Sequence, residues 1–300
     1  MTYAPITLFC YKRLDHLKKT IEALQKNTLA KESELFIFSD GPKSEQDAKK
    51  VHEVRNYLHS ASGFKRVQII ESKENKGLAD SITQGVTEIV NTYGTVIVLE
   101  DDIVTSPYFL TYMNDALNKY ANNKKIIHIN GYCPPIDIEH FMEDTFLYRL
   151  TQSWGWATWK DRWELYTNDA ETLWKSLQNK QLVAYFNIDG NFSFSSTLKA
   201  NIRGDIRTWA IKWYAAAVLN NMLCLYPAHS LLINIGNDGS GTNTSATNKF
   251  DSTLYKKPIE VSGNLLEEDL NISQSMRSYY ISIQPSMLEK IVTRMHLWRK

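Results

Sequence analysis

The stretch Thr95-Val96-Ile97-Val98-Leu99-Glu100-Asp101-Asp102 decides how this chain is read. Its apolar and β-branched residues do not alternate with polar ones, which suits a strand covered on both faces rather than one with a wet side. Gly94, just before it, marks the end of a preceding helix. Three adjacent carboxylates then stand at the strand's carboxyl end. In open α/β sheets that edge receives ligands, and clustered oxygen donors suit a hard divalent cation such as Mg2+ or Mn2+. The competing reading is an acidic turn facing water, where charge runs commonly lie.

Outward from that strand, the first 130 residues alternate apolar runs with amphipathic segments, the pattern of a mostly parallel α/β sheet covered by helices. Strands are expected at 6–11, 35–39, 67–71 and 95–99, and helices at 14–25, 45–60 and 78–93. A helix over 107–120 and a strand over 126–130 follow. The strand tips are polar: Cys10-Tyr11-Lys12-Arg13, Asp40-Gly41, Glu74-Asn75-Lys76-Gly77 and Glu100-Asp101-Asp102. They would line one sheet edge and converge where a nucleotide could lie. Residues 132–250 are less regular, with helices expected at 158–163, 172–177 and 209–220, and read as the part that meets a second substrate. The chain thus divides into an α/β half whose sheet edge could hold a nucleotide (1–130), a second half of the same domain that would meet another substrate (131–250), and a C-terminal extension (251–300).

Composition removes several function classes. With 43% hydrophobic residues in 300, the chain can bury a large core. Lys and Arg total 34 against 33 for Asp and Glu, so there is no global field for gripping nucleic acid. Cys10, Cys133 and Cys224 are too few and too scattered for a disulfide framework or a zinc site, which fits a reducing compartment. No signal-like segment opens the chain and no window reaches the roughly 18 apolar residues of a membrane span, so a cytoplasmic location is expected. In the terminal segment 287–300, Leu288, Ile291, Val292, Met295 and Trp298 recur at helical spacing among Lys290, Arg294, Arg299 and Lys300. Such a segment either lies peripherally on an anionic membrane or docks on its own domain. His128, His140 and His229 stand alone, without zinc-ligand spacing, and read as structural.

The loop after the first strand lacks the Gly-x-Gly-x-x-Gly fingerprint of dinucleotide oxidoreductases, and no Gly-x-x-x-x-Gly-Lys-Ser/Thr phosphate loop occurs. Four segments instead resemble glycosyltransferases of the GT-A fold, family 2 and the N-acetylglucosaminyltransferase I group above all. Pro5 to Arg13 is similar to the first strand and loop that hold base and ribose; Asp40 resembles the acid that contacts the base. Asn75-Lys76-Gly77-Leu78, followed by Gln84-Gly85, is similar to the segment opening the third helix. Glu100-Asp101-Asp102 matches the fold's acidic motif, in which the third acid meets the metal and the first faces the nucleotide or sugar. The resemblance implies a Mn2+ or Mg2+ cofactor on Asp102, with Cys10, Tyr11, Lys12, Arg13, Asp40, Asn75, Gly77, Glu100 and Asp101 around the nucleotide-sugar donor. A divalent ion there would offset charge building on the leaving diphosphate.

In the second half, Ser153-Trp154-Gly155-Trp156-Ala157-Thr158-Trp159 resembles a segment of bacterial members. Flat aromatic faces at Trp154 and Trp156 suit sugar C–H surfaces, and Gly155 lets a backbone approach a ligand; an aromatic core cluster is the other reading. An inverting transfer needs a base for the acceptor hydroxyl. The family acid before Ser/Thr-Trp is replaced by Arg207, which leaves Asp205 or Asp238 for the role. Ile235-Gly236-Asn237-Asp238-Gly239-Ser240-Gly241-Thr242-Asn243 is similar to a late loop closing near the diphosphate, with Asn243 where relatives often carry His. The implied activity is sugar transfer from a nucleotide diphosphate sugar to a glycan or glycolipid hydroxyl, in bacterial surface polysaccharide or lipopolysaccharide assembly. The rivals are a sugar nucleotidylyltransferase, whose basic Gly-rich loop is missing, and a non-catalytic carbohydrate-binding protein on the same fold.

Overall fold

The computed structural model describes residues 3–139, 141–240, 246–263 and 265–284. The segment 287–300, Asn243 and His140 lie outside the described residues.

In chain order the elements are β1 (Ile6–Cys10), α1 (Leu14–Gln25), β2 (Glu34–Ser39), α2 (Glu45–Leu58), β3 (Arg66–Glu71), α3 (Leu78–Tyr93) and β4 (Thr95–Glu100). Next come β5 (Ile103–Thr105), α4 (Phe109–Lys119), β6 (Ile126–Asn130), β7 (Thr145–Tyr148), β8 (Trp156–Trp159) and α5 (Lys160–Trp163). Then follow α6 (Ala170–Asn179), α7 (Val183–Phe186), α8 (Phe194–Arg203), α9 (Ala210–Leu219), β9 (Leu223–Pro227), β10 (Leu232–Asn234) and α10 (Leu270–Ser282). Eight strands make one sheet in the order β3-β2-β1-β4-β8-β6-β9-β7. β1 to β4 run parallel to one another, β6 runs parallel to β9, and β8 and β7 run against their neighbours.

β4 is buried on both sides, as its unbroken apolar run requires. Val96 and Val98 join a core with α3, α9 and Trp156, while Ile97 and Leu99 join the opposite core with α1 and α4. Each fully buried side chain of this kind contributes about 1.5–3 kcal/mol relative to exposure. α3 begins and ends on glycines at positive φ, Gly77 at 77° and Gly94 at 80°, a backbone state that glycine takes without a side-chain penalty.

The expected helix over 158–163 is corrected: Trp156–Trp159 is strand β8 and the helix starts at Lys160. Aromatic and β-branched residues favour a pleated surface, and β4 would otherwise present an unpaired edge. β8 pairs antiparallel with β4, Val98 opposite Trp156. The short strands β5, β7, β9 and β10 and the helices α7, α8 and α10 lie outside the elements expected from the sequence. Among the described residues no helix is long and apolar enough to cross a membrane.

Candidate active site

In the register of β1 with β4, Phe9 faces Glu100, so Tyr11 to Arg13 leave β1 level with the acids leaving β4. Arg13 Nη2 donates to Asp101 and to Oδ2 of Asp102, the latter at 2.6 Å, and the Tyr11 backbone N–H reaches Asp101 Oδ2 at 3.4 Å. Tyr11 and Lys12 turn instead to the first turn of α2: the Tyr11 hydroxyl donates to Asp47 at 2.9 Å and Lys12 Nζ pairs with it at 2.6 Å.

Asp40, buried at the end of β2, is surrounded by donors. Its oxygens accept from the backbone N–H groups of Gly41, Lys76 and Gly77, each at 2.9 Å, and from Asn75 Nδ2 at 3.0 Å. Asp40 thereby holds the turn before α3 against the tip of β2. The crossing is tight, since a Cβ on Gly41 would lie 2.4 Å from the Glu74 carbonyl carbon.

The third acid stands apart from the other two. Asp102 is 8% exposed, its Oδ2 is taken by Arg13, and its Oδ1 is buried without a hydrogen-bond partner. A buried, unpartnered carboxylate oxygen costs free energy unless something fills its coordination. The roof over it is the loop after β10. The β5–β10 pair brings this loop in: Ile235 N–H donates to the Asp102 carbonyl at 2.9 Å, and a Cβ on Gly236 would lie 2.1 Å from Asp102 Oδ2 and 2.9 Å from an Arg13 nitrogen. Burial, with the charges of Asp102 and Asp101, raises the Glu100 carboxyl well above its usual range. Burial also pushes Asp101 up to about 6, against the pull of Arg13.

Among the described residues no three His, Cys, Asp or Glu side chains converge into a ready-made metal cage. A hard cation bound with substrate phosphates does not require one, because one or two carboxylates suffice when phosphates and waters complete the shell. Asp102 Oδ1 fits that use.

The other sequence candidates are distributed unevenly. Trp154 is half-buried, with Tyr132 edge-on at 4.9 Å and Phe250 at 5.7 Å. Trp156 has no exposed surface and stacks between His128, at 5.0 Å, and Trp209, at 5.1 Å, inside the core. Gly155, at φ +55°, makes its close approach to Leu232 rather than to a ligand, since a Cβ there would sit 2.3 Å from that side chain. Asp205 is exposed and paired with Arg203 at 2.7 Å. Its neighbour Arg207 reaches Asp80 at the start of α3, at 2.6 Å, which ties this loop to the sheet edge. Asp238 meets His16 on α1 at 3.1 Å, and the Ser240 hydroxyl and N–H hold its carboxyl down to about 2. Asp47, His16 and Asp80 escaped the sequence reading because their partners lie on other elements. His16, one turn beyond Arg13, and Asp80, one turn beyond Gly77, were near enough in sequence to be suspected.

The sheet and the acid-tipped central strand define the GT-A fold, a nucleotide-diphospho-sugar transferase architecture. The chain belongs to glycosyl transferase family 2, whose profile matches residues 6–157, just over half of the sequence. Among solved structures, it is similar to a mannosyltransferase, PcManGT from Pyrobaculum calidifontis, in complex with GDP-Man and Mn2+, at 11% identity and TM-score 0.40, covering 73% of this chain and 70% of that one. It is also similar to S. aureus TarS at 15% identity and TM-score 0.28, over 39% of this chain and 19% of TarS, so it spans about a fifth of that protein's length. No curated protein matches it in sequence.

Proposed function

We propose that this protein transfers a sugar from a nucleotide diphosphate sugar to a hydroxyl on a glycan or glycolipid, with inversion, and that the reaction depends on Mn2+ or Mg2+. The observation that carries the reading is Asp102 Oδ1, buried and unpartnered on an acid, at the carboxyl edge of the central strand, whose other oxygen lies between Arg13 and Gly236. Asp102 would hold the metal, whose chemistry is to neutralise charge on the departing diphosphate. Around it the β1 loop and the Asp40-braced turn, with Asn75 and Gly77, border the nucleotide, and Glu100 and Asp101 face the ribose and sugar. Trp154, half-buried where Trp156 and Trp159 are interior, offers its ring to an acceptor sugar.

For the proton of the acceptor hydroxyl, Asp205 suits the role better than Asp238. A carboxylate held at about 2 has little affinity for a proton. Asp205 instead stands on the loop tied to the mouth of the sheet edge by the Arg207–Asp80 pair. The setting in cytoplasmic assembly of surface polysaccharide or lipopolysaccharide rests on the family resemblance.

The test is a thermal-shift and donor-turnover screen against UDP-, GDP-, CMP- and dTDP-sugars, with and without Mn2+, on wild type, Asp102→Ala and Asp205→Asn. Metal-dependent stabilisation and turnover with one donor is expected, both lost in Asp102→Ala, whereas Asp205→Asn keeps the stabilisation and loses transfer. Silence toward every donor would leave a non-catalytic carbohydrate-binding protein as the better reading.

A further inference from the structure

Arg13 is the residue of the site whose pairing the proposed function leaves unexplained. It stands at the N-terminus of α1 but makes no side-chain cap there; its guanidinium is directed wholly into the acids. One nitrogen bridges Asp101 and Asp102, and a second lies under Gly236, where even a Cβ would crowd it. The side chain is thus pinched between β1, β4 and the loop after β10. Burial works against its charge, yet the two carboxylates outweigh that and hold it firmly protonated. A cation so placed repels a divalent ion approaching Asp102 Oδ1 and competes for the same carboxylate. A guanidinium also pairs with phosphate through parallel hydrogen bonds, so a diphosphate arriving at this edge offers it an alternative partner.

We propose that Arg13 is a resident cation: it occupies Asp101 and Asp102 while the donor is absent and releases them when a diphosphate draws it away, so that metal and donor bind as a coupled pair. This rests on the assignment of Asp102 to the metal. The coupling is reciprocal, as any linkage between two bound species must be. Arg13 contacts the donor diphosphate in this account, and its signature lies in metal affinity rather than in turnover.

The experiment is a Mn2+ titration of the full chain, followed by the paramagnetic resonance signal of free Mn2+, with and without GDP or UDP. Wild type, Arg13→Gln, Arg13→Lys and Asp102→Asn are compared after circular dichroism has shown each to be folded. Without nucleotide, Arg13→Gln should bind Mn2+ about tenfold more tightly than wild type, because a repelling charge has been removed. Nucleoside diphosphate should raise the Mn2+ affinity of wild type by a larger factor than that of Arg13→Gln, and Arg13→Lys should follow wild type. Equal or weaker Mn2+ binding by Arg13→Gln, or an equal nucleotide effect in both proteins, overturns the proposal. Should Arg13→Gln not fold, Arg13→Lys decides alone: a nucleotide effect like that of wild type supports the resident cation, and loss of that effect with the fold intact, or Mn2+ binding tighter than wild type under all conditions, overturns it. Mn2+ binding that survives Asp102→Asn would instead sink the metal assignment itself.

Discussion

At the residue scale the site is decided by atoms that meet across the sheet edge. Asp102 has one oxygen committed to Arg13 and one uncommitted, and Gly236 lies against the committed one with no room for a side chain. Gly236→Ala places a methyl carbon 2.1 Å from Asp102 Oδ2, so either the acid or the loop must move. Misplacement of about 1 Å costs on the order of a hundredfold in rate. Donor turnover should therefore fall by about that factor while circular dichroism stays unchanged; undiminished turnover would show that the loop stands further from the acid in the working enzyme. Asp40 shows the limit of reading one residue at a time. As an acid at a strand tip it resembles a base-contacting group, yet its oxygens meet a ring of donors from 41 and 75–77, partners that only the folded turn supplies.

At the element scale, α10 is fastened to the sheet by charge. Arg149, just past β7, is buried and pairs with Glu268 at 2.8 Å and with Asp189 at 3.1 Å, and its guanidinium stacks 3.8 Å over Tyr185. Removing one partner of such a pair strands the other, at about 3 kcal/mol or more. Arg149→Ala should lower unfolding free energy by that amount in a urea titration; a loss under about 1 kcal/mol would mean that Glu268 finds solvent when released. No sequence signal links residues 149 and 268. By contrast α1 and α3 were readable to the residue, 14–25 and 78–93, because each has amphipathic spacing, and α3 is also bracketed by glycines.

For the whole molecule, the aromatic core around β6, β8 and α9 ties stability to pH. His128 is buried against Trp156, and its Nδ1 accepts from Trp213 Nε1 at 3.0 Å, which places the imidazole proton on Nε2 and leaves the ring neutral. Burial lowers its pKa to about 3, against about 6.5 in an unfolded chain. Above about 6.5 the ring is neutral in both states and contributes no slope. As pH falls from there toward 3, the unfolded chain takes up a proton that the folded chain refuses, so stability is lost across that window, by at most about 1.4 kcal/mol per pH unit. His128→Gln should flatten this part of the profile in urea unfolding between pH 4 and 7; an unchanged slope would show that the acids alone set it.

What the sequence determined by itself was local and periodic. Non-alternating strands, helix spacing, glycine punctuation and the polar tips of β1, β2 and β4 sufficed for a mostly parallel α/β sheet with its acids on one edge. The aromatic run was legible as a cluster but not as a strand, since Trp-Ala-Thr-Trp, at 156–159, has a strand's composition in too short a span to separate from a helix start. The tertiary structure decided what depends on distance across the fold: that Trp156 is interior and Trp154 is not, that Asp205 already has a cationic partner and Asp238 a histidine, and that Arg13 lies on the acids. Those contacts join residues up to 222 positions apart, and their energies arise from burial and charge that exist only once the sheet has brought its strand tips together.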